Sequence, residues 1–431
     1  MSIHRITMLC FSLTLINAFV SIAQWSQTSI QYAGRVFGFA GNATHTFAGT
    51  GSNGVYASTN NGATWTLANG DLPNASIRAI APASDGSGKI YVGLAADGVF
   101  ATTNNGTKWS AINTGLTKLD TRALITSPTQ PGYIYAGFFF GGVFRSTNNG
   151  TSWTEVNNGL NFLDVRAFAL YPNNSGGTHL FAGTYSGGIF RTTNDGANWT
   201  AVNTNLTNQY VVALASAPRG GGMYNLYAAT DDGIFVSTDN GDSWSASSNG
   251  ITNKRVQAFV AVPNGGGGIN LFAGTAGGIF ISTNYGANWS DVSTGLTDLD
   301  VCGFIVTPKA SGTQHLIAGT WNGNVWRRTL TEMMTVPVRE EQAPTSIRVC
   351  QNTPNPFSSR TKIEYTLDQQ QEAVFTLFDA YGRQVKTLVQ RAEDAGTHVL
   401  ALDAHDLPSG VYYYRLQAGS SSIIRAMILQ R

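Results

Sequence analysis

Along most of the chain, apolar and polar residues alternate in runs of four to six positions cut by glycine and asparagine. That period of two predicts strands, not helices. The runs are grouped. A polar run leads through a loop such as Asn113-Thr114-Gly115-Leu116 to a second run, such as Val165-Arg166-Ala167-Phe168. After a turn, a third run ends in Ala182-Gly183-Thr184, and a loop enters Gly187-Gly188-Ile189-Phe190. A polar box closes the group. It reads STNNGATW from Ser58 and returns from Thr102, Ser146, Thr192, Ser237 and Ser282. Four short strands at this fixed interval predict a β-propeller blade.

The Ala-Gly pair counts the blades. It stands at Ala48-Gly49, Ala136-Gly137, Ala182-Gly183, Ala273-Gly274 and Ala318-Gly319, with Val92-Gly93 and Ala228-Ala229 as variants. Seven units therefore share six boxes, and the last ends at Gly323-Asn324-Val325-Trp326. Trp25-Ser26-Gln27-Thr28 resembles the segment after each box, and Trp25 joins Trp65, Trp109, Trp153, Trp199, Trp244 and Trp289 in series. The N-terminal strand is expected to complete the last blade and remove an open edge. The expected fold class is all-β: a seven-bladed propeller over residues 24–330, then a small Ig-like sandwich.

The box has a mechanical reading. Asn60, or Asp239 in its place, bonds nearby backbone N–H groups as an Asx-turn, helped by Ser58. Gly62 supplies a positive φ. Trp65 packs a large ring whose N–H needs an acceptor. These residues resemble the Asp-box (BNR) repeat of sialidases, sortilin-like receptors, xyloglucan-active glycosidases and photosystem II assembly factors. Asparagine replaces aspartate in five of the six boxes, which keeps the turn and drops the charge. The resemblance implies the fold over about residues 25–330; the families sharing it differ in function.

The two ends read differently. Residues 1–23 have a secretory-signal pattern: His4-Arg5, an apolar run from Ile6 to Val20, and a Ser21-Ile22-Ala23 cleavage site before Gln24. Residues 331–347 are charged, bear Pro337 and Pro344, and read as a linker. Residues 348–431 hold six or seven short strands, the pattern of an Ig-like sandwich. Within them, Asn355-Pro356-Phe357, the Asp379 to Arg383 turn with Gly382, Gly396-Thr397-His398, and Leu407 to Tyr412 with Gly410 resemble the type A C-terminal sorting domain of the type IX secretion system of Bacteroidota. The resemblance implies export through the periplasm and that machinery, to the cell surface or beyond.

Composition narrows the function. Charged residues are 12% of the chain and the net charge is +1, with no basic patch, which argues against nucleic acid. Cys302 and Cys350 fall in different domains, so no disulfide framework is expected. No spacing suggests a metal or cofactor, and the mature chain offers no transmembrane segment.

Positions that differ between repeats are free to be specific. After each Ala-Gly-Thr the variable position holds Gly51, Ala95, Phe139, Tyr185, Asp231, Ala276 and Trp321, with Phe140 beside Phe139. Lys118, Phe162 and Tyr210 lie in the connections between blades. Phe139, Phe140, Tyr185 and Trp321 are candidates for stacking on a glycan or anchoring a surface protein, on the face away from the boxes. Arg78, Arg122 and Arg166 occupy one position of three inner strands, where Val212, Gln257 and Cys302 stand in others. They form either an anion-attracting wall or structural pairs with Asp120, Asp164 and Asp300. A sialidase-like site needs a glutamate there, and the one glutamate of the propeller segment, Glu155, follows a box tryptophan. A xyloglucanase-like site needs two carboxylates, and Asp97, Asp231 and Asp232 are the candidates. The sequence therefore favours a non-catalytic binding protein, with a polysaccharide-acting glycoside hydrolase as the alternative.

Overall fold

The computed structural model describes residues 24–334 and 347–431, apart from 31–32, 74–75, 174–176, 221, 265–267, 308–312, 380–383 and 419–420. The expected signal segment, most of the expected linker, and Gly382 lie outside the described residues. The chain divides into two compact units, residues 1–338 and 339–431.

Among the described residues, the first unit contains seven four-stranded antiparallel sheets, here numbered one to seven along the chain. Sheet one runs Val36–Gly41, Thr46–Thr50, Gly54–Ser58 and Thr66–Leu67 from inside to outside. The innermost strand of each sheet packs on that of the next, and Val301–Val306 of sheet seven returns to Val36–Gly41. The ring is thereby closed. In sheet seven the outermost strand is Ser26–Gln27, paired with Val325–Thr329 in the register Ser26 to Arg327 and Gln27 to Trp326.

The boxes bind each sheet to its neighbour. Asn60 Oδ1 accepts from the Thr64 backbone N–H at 2.9 Å, and Ser58 Oγ accepts from the Gly62 N–H at 3.0 Å. The turn needs two consecutive left-handed residues, Asn61 at φ 57° and Gly62 at φ 76°. Asparagine tolerates this conformation better than other side chains. Tryptophan then crosses to the preceding sheet. Trp109 Nε1 donates to the Ala68 carbonyl at 2.9 Å, Trp244 to Val202 at 2.8 Å and Trp289 to Ser247 at 2.7 Å. Trp25 does the same to Val292 at 2.8 Å. Trp65 differs: its Nε1 donates within its own box, to Gly62.

Asp239 is the one aspartate at the third position of a box, where the other five carry asparagine. Burial pushes its carboxyl up, but hydrogen bonds from Ser243 and Ser237 outweigh this and hold it below the ordinary value. A depressed folded-state pKa gives stability that is present at neutral pH and lost as pH falls through that pKa. Asp239→Asn keeps the acceptor and removes the titration. The variant is therefore expected to gain on the parent as pH falls below about 3.8, the ordinary value. Thermal midpoints measured from pH 6 to pH 2 check this; parallel curves would contradict it.

Residues Leu330–Met334 form a short helix, with Leu330 and Met333 buried against sheet seven. The composition change at 331 is thus not the end of the folded unit, because these two apolar side chains still belong to its core.

The second unit is a sandwich. One sheet holds Ile347–Val349, Arg360–Leu367 and Gly396–Asp403; the other holds Gln384–Glu393, Gln371–Asp379, Gly410–Ala418 and Ser421–Leu429. Ile363, Phe375, Leu377, Tyr414 and Met427 fill the space between them. The Asn355-Pro356-Phe357 motif fastens the last strand. Asn355 Oδ1 accepts from the Ile428 N–H at 2.8 Å, the Phe357 N–H donates to Ile428 O at 3.0 Å, and its carbonyl accepts from the Gln430 N–H at 2.8 Å. Phe357 itself is buried. Tyr412 Oη, after Gly410, donates to the Pro408 carbonyl at 2.8 Å.

Candidate functional site

One local irregularity recurs in all seven sheets. Where the innermost strand begins, its register against the second strand shifts by one residue. The extra residue is Phe37, Arg78, Arg122, Arg166, Val212, Gln257 or Cys302, in sheet order. A bulge leaves a residue unpaired and re-aims its side chain. Two positions earlier stand Arg35, Ser76, Asp120, Asp164, Tyr210, Arg255 and Asp300. In six sheets the carbonyl at that earlier position accepts from the backbone N–H of the variable loop residue: Gly51, Ala95, Phe139, Tyr185, Ala276 and Trp321, at 2.8–3.1 Å. Three sets of sequence-variable positions thus meet at the box-free end of the ring.

There the side chains alternate between guanidinium and aromatic ring. Arg35 and Arg78 both lie over the Phe37 ring, at 4.7 and 4.6 Å. Arg35 also covers Trp321 at 4.4 Å, and Arg255 lies 5.5 Å from the same ring. Arg122 and Arg166 lie over Phe139 at 4.7 and 5.8 Å. Arg166 also covers Tyr185 at 4.7 Å, and Tyr185 meets Tyr210 edge-on at 5.3 Å. Phe139, Tyr185 and Trp321 give ring faces to arginine, whose delocalised cation is attracted to the π-cloud. Phe140 is the more open ring, 66% exposed, in a left-handed backbone conformation at φ 50° that costs a bulky residue energy.

The arginines are not equivalent. Arg122 pairs with Asp120 at 2.7 Å, and Arg166 grips Asp164 through two bonds of 2.7 Å. For these two, the structural pairing is what the structure contains. Asp300 instead accepts a hydrogen bond from Gln257 of the neighbouring sheet. Arg35 and Arg78 have no ion pair among the described residues, and the Nε of each is buried without a hydrogen-bond partner. Burial lowers the pKa of both; for Arg78, repulsion from Arg122 lowers it further. Beside Arg35, burial pushes the Cys302 thiol up to about 12, so it stays protonated and inert.

The acidic candidates sit in two different loops. Asp97 sits in a loop of sheet two, and Asp231 and Asp232 in a loop of sheet five, with sheets three and four between. Asp231 faces Arg255 at 3.9 Å and Asp232 faces Lys254 at 3.5 Å. Glu155 accepts from Asn157 in an outer strand, away from the opening. Among the described residues no cluster suits a metal ion, and no helix is long and apolar enough to cross a membrane.

Arg35, Phe37 and Arg255 were not legible as site residues. The signal was present in columns: sheet one carries Arg-Val-Phe where sheet three carries Asp-Thr-Arg and sheet four Asp-Val-Arg.

Residues 353–430 match the family described as the secretion system C-terminal sorting domain. The chain is a β-propeller with a secretion-system sorting tail. Solved structures agree on the fold. The extracellular domain of BT3049 from B. thetaiotaomicron matches at 14% identity and TM-score 0.56, over 94% of this chain and 57% of that one. This chain therefore spans little more than half of that domain. The Niastella koreensis GH74 enzyme matches at 13% identity and TM-score 0.56, over 94% and 74%. YCF48, solved with a bound D1 peptide, matches at 17% identity and TM-score 0.51, over 71% and 95%. No curated protein matches the chain. The sorting tail implies secretion or a cell-surface location.

Proposed function

We propose that this propeller is an exported, non-catalytic binding protein that takes its ligand at the box-free mouth of the ring. One observation carries the reading. The seven bulges carry phenylalanine, valine, glutamine, cysteine and three arginines, while the box face repeats nearly the same residues in every sheet. Specificity belongs where repeats diverge. The aromatic and arginine content of the mouth matches the residues that dominate binding hot spots. The ligand class is a glycan or a surface protein, reached after export by the type IX machinery that the tail addresses. The GH74 likeness raises the hydrolytic alternative. Glycoside hydrolysis needs two carboxylates about 5–9.5 Å apart across the scissile bond; Asp231 and Asp232 face basic residues instead.

A glycan capture and hydrolysis screen on the full chain, run beside Trp321→Ala, Asp97→Asn and Asp231→Asn, tests this. The expected result is capture without released product, weakened at least tenfold by Trp321→Ala and unchanged by either Asn variant. Product release lost in an Asn variant would overturn the non-catalytic reading.

A further inference from the structure

We infer that the mouth selects a carboxylate-bearing polysaccharide, with Arg35 and Arg78 as the residues that read its acid groups. This rests on the binding reading above and narrows it to one chemistry. Five arginines line the opening, and three of them, Arg122, Arg166 and Arg255, face an aspartate of the protein. Arg35 and Arg78 flank the same Phe37 ring and make no such ion pair, although Asp300 and Cys302 act on Arg35 and Asp120 acts on Arg78 from farther off. A guanidinium stacked on a ring keeps its N–H fork in the plane, free to meet an acceptor. Two such forks stand beside one Phe37 ring; their Nε atoms are buried without an acceptor, as are those of Arg122 in the mouth and of Arg145, Arg328 and Arg415 elsewhere, so within the mouth the lack of a carboxylate in ion-pair contact is what sets these two apart. A carboxylate matches the fork bidentately.

The sugar follows from the neighbouring side chains: Phe140, packed on Phe139 at 4.3 Å and 66% exposed, offers an open face to a sugar ring. The Asp120–Arg122 and Asp164–Arg166 pairs next to them present both acceptors and donors, which suit hydroxyl groups.

The test is titration calorimetry on the full chain with three probes: oligogalacturonate, its fully methyl-esterified form, and poly-glutamate of matched charge. Oligogalacturonate is expected to bind, at least tenfold tighter than the ester, and to weaken as NaCl rises from 20 to 200 mM. Arg35→Gln with Arg78→Gln should lose at least tenfold in affinity with the melting temperature held or raised. The paired Lys variants, which keep charge but lose the fork, should fall between. Phe37→Ala should weaken binding without changing the charge. Equal binding of acid and ester would overturn the carboxylate assignment while leaving the binding reading standing. Tighter binding of poly-glutamate would overturn it in favour of an acidic protein. Absence of binding to all three would overturn it outright, with the glycan capture screen deciding the broader reading separately.

Discussion

Trp244→Ala is expected to lower the stability of the propeller by about 3–5 kcal/mol, the usual cost of truncating a large buried aromatic. Trp244 is 2% exposed and packs against Phe181, Ile189, Val202, Leu206 and Phe235. Those partners come from sheets four and five, so the ring is a rivet between them and not the filling of one sheet. Its Nε1 donates to the Val202 carbonyl at 2.8 Å. Removing it leaves a buried acceptor without a partner, an effect of about 1 kcal/mol or more included in that range. Trp244→Phe separates the two contributions, since it restores most of the apolar volume and none of the hydrogen bond. Urea unfolding of the three proteins measures both. Trp321→Ala is the internal control: at 41% exposure and at the mouth, its loss should stay below about 1 kcal/mol. A Trp244 loss no larger than the Trp321 loss would refute the view that the boxes hold the ring while the mouth is free to vary.

That division of labour explains what could be read in advance. The boxes, the interval and the outlying Trp25 carry the fold because each repeat must solve the same packing problem. Asn60, Gly62 and Trp65 therefore appear as a motif. The mouth has no motif, since its residues differ from sheet to sheet. Arg78, Arg122 and Arg166 were visible because three sheets happen to agree. Arg35 and Phe37 were hidden because sheet one places arginine where sheets three and four carry aspartate, and an aromatic ring where they carry arginine. The stacking of guanidinium on Phe139 and Trp321 depends on side chains far apart in sequence, Arg35 and Trp321 above all. The helix Leu330–Met334 was missed for a simpler reason: five residues are too few to show a helical period.

Deleting residues 24–30 is expected to convert the propeller into an aggregating species with a much lower melting temperature. The segment supplies the outermost strand of sheet seven, and its removal exposes the edge of Val325–Thr329. An unpaired strand edge is a template for pairing with another chain. The buried side chains of Trp25 and Ile30 go with it, as do the hydrogen bonds from Thr28 N–H to Val325 O at 2.8 Å and from Trp25 N–H to Thr294 O at 3.1 Å. The ring differs here from its other six junctions. Elsewhere the outer strand follows its sheet directly in the chain, whereas sheet seven draws its outer strand from nearly three hundred residues away in sequence. Closing that long loop is the entropic cost of the ring, and Trp25 is the side chain that fixes it to Val292. Trp25→Ala should therefore resemble the deletion more than it resembles Trp244→Ala, with early opening of sheet seven and concentration-dependent association. Size-exclusion chromatography across a concentration series, beside thermal melting, distinguishes the outcomes. A deletion variant that stays monomeric and melts as the parent does would mean that contacts between inner strands alone hold the ring, and that the N-terminal strand is an ornament on a structure already closed.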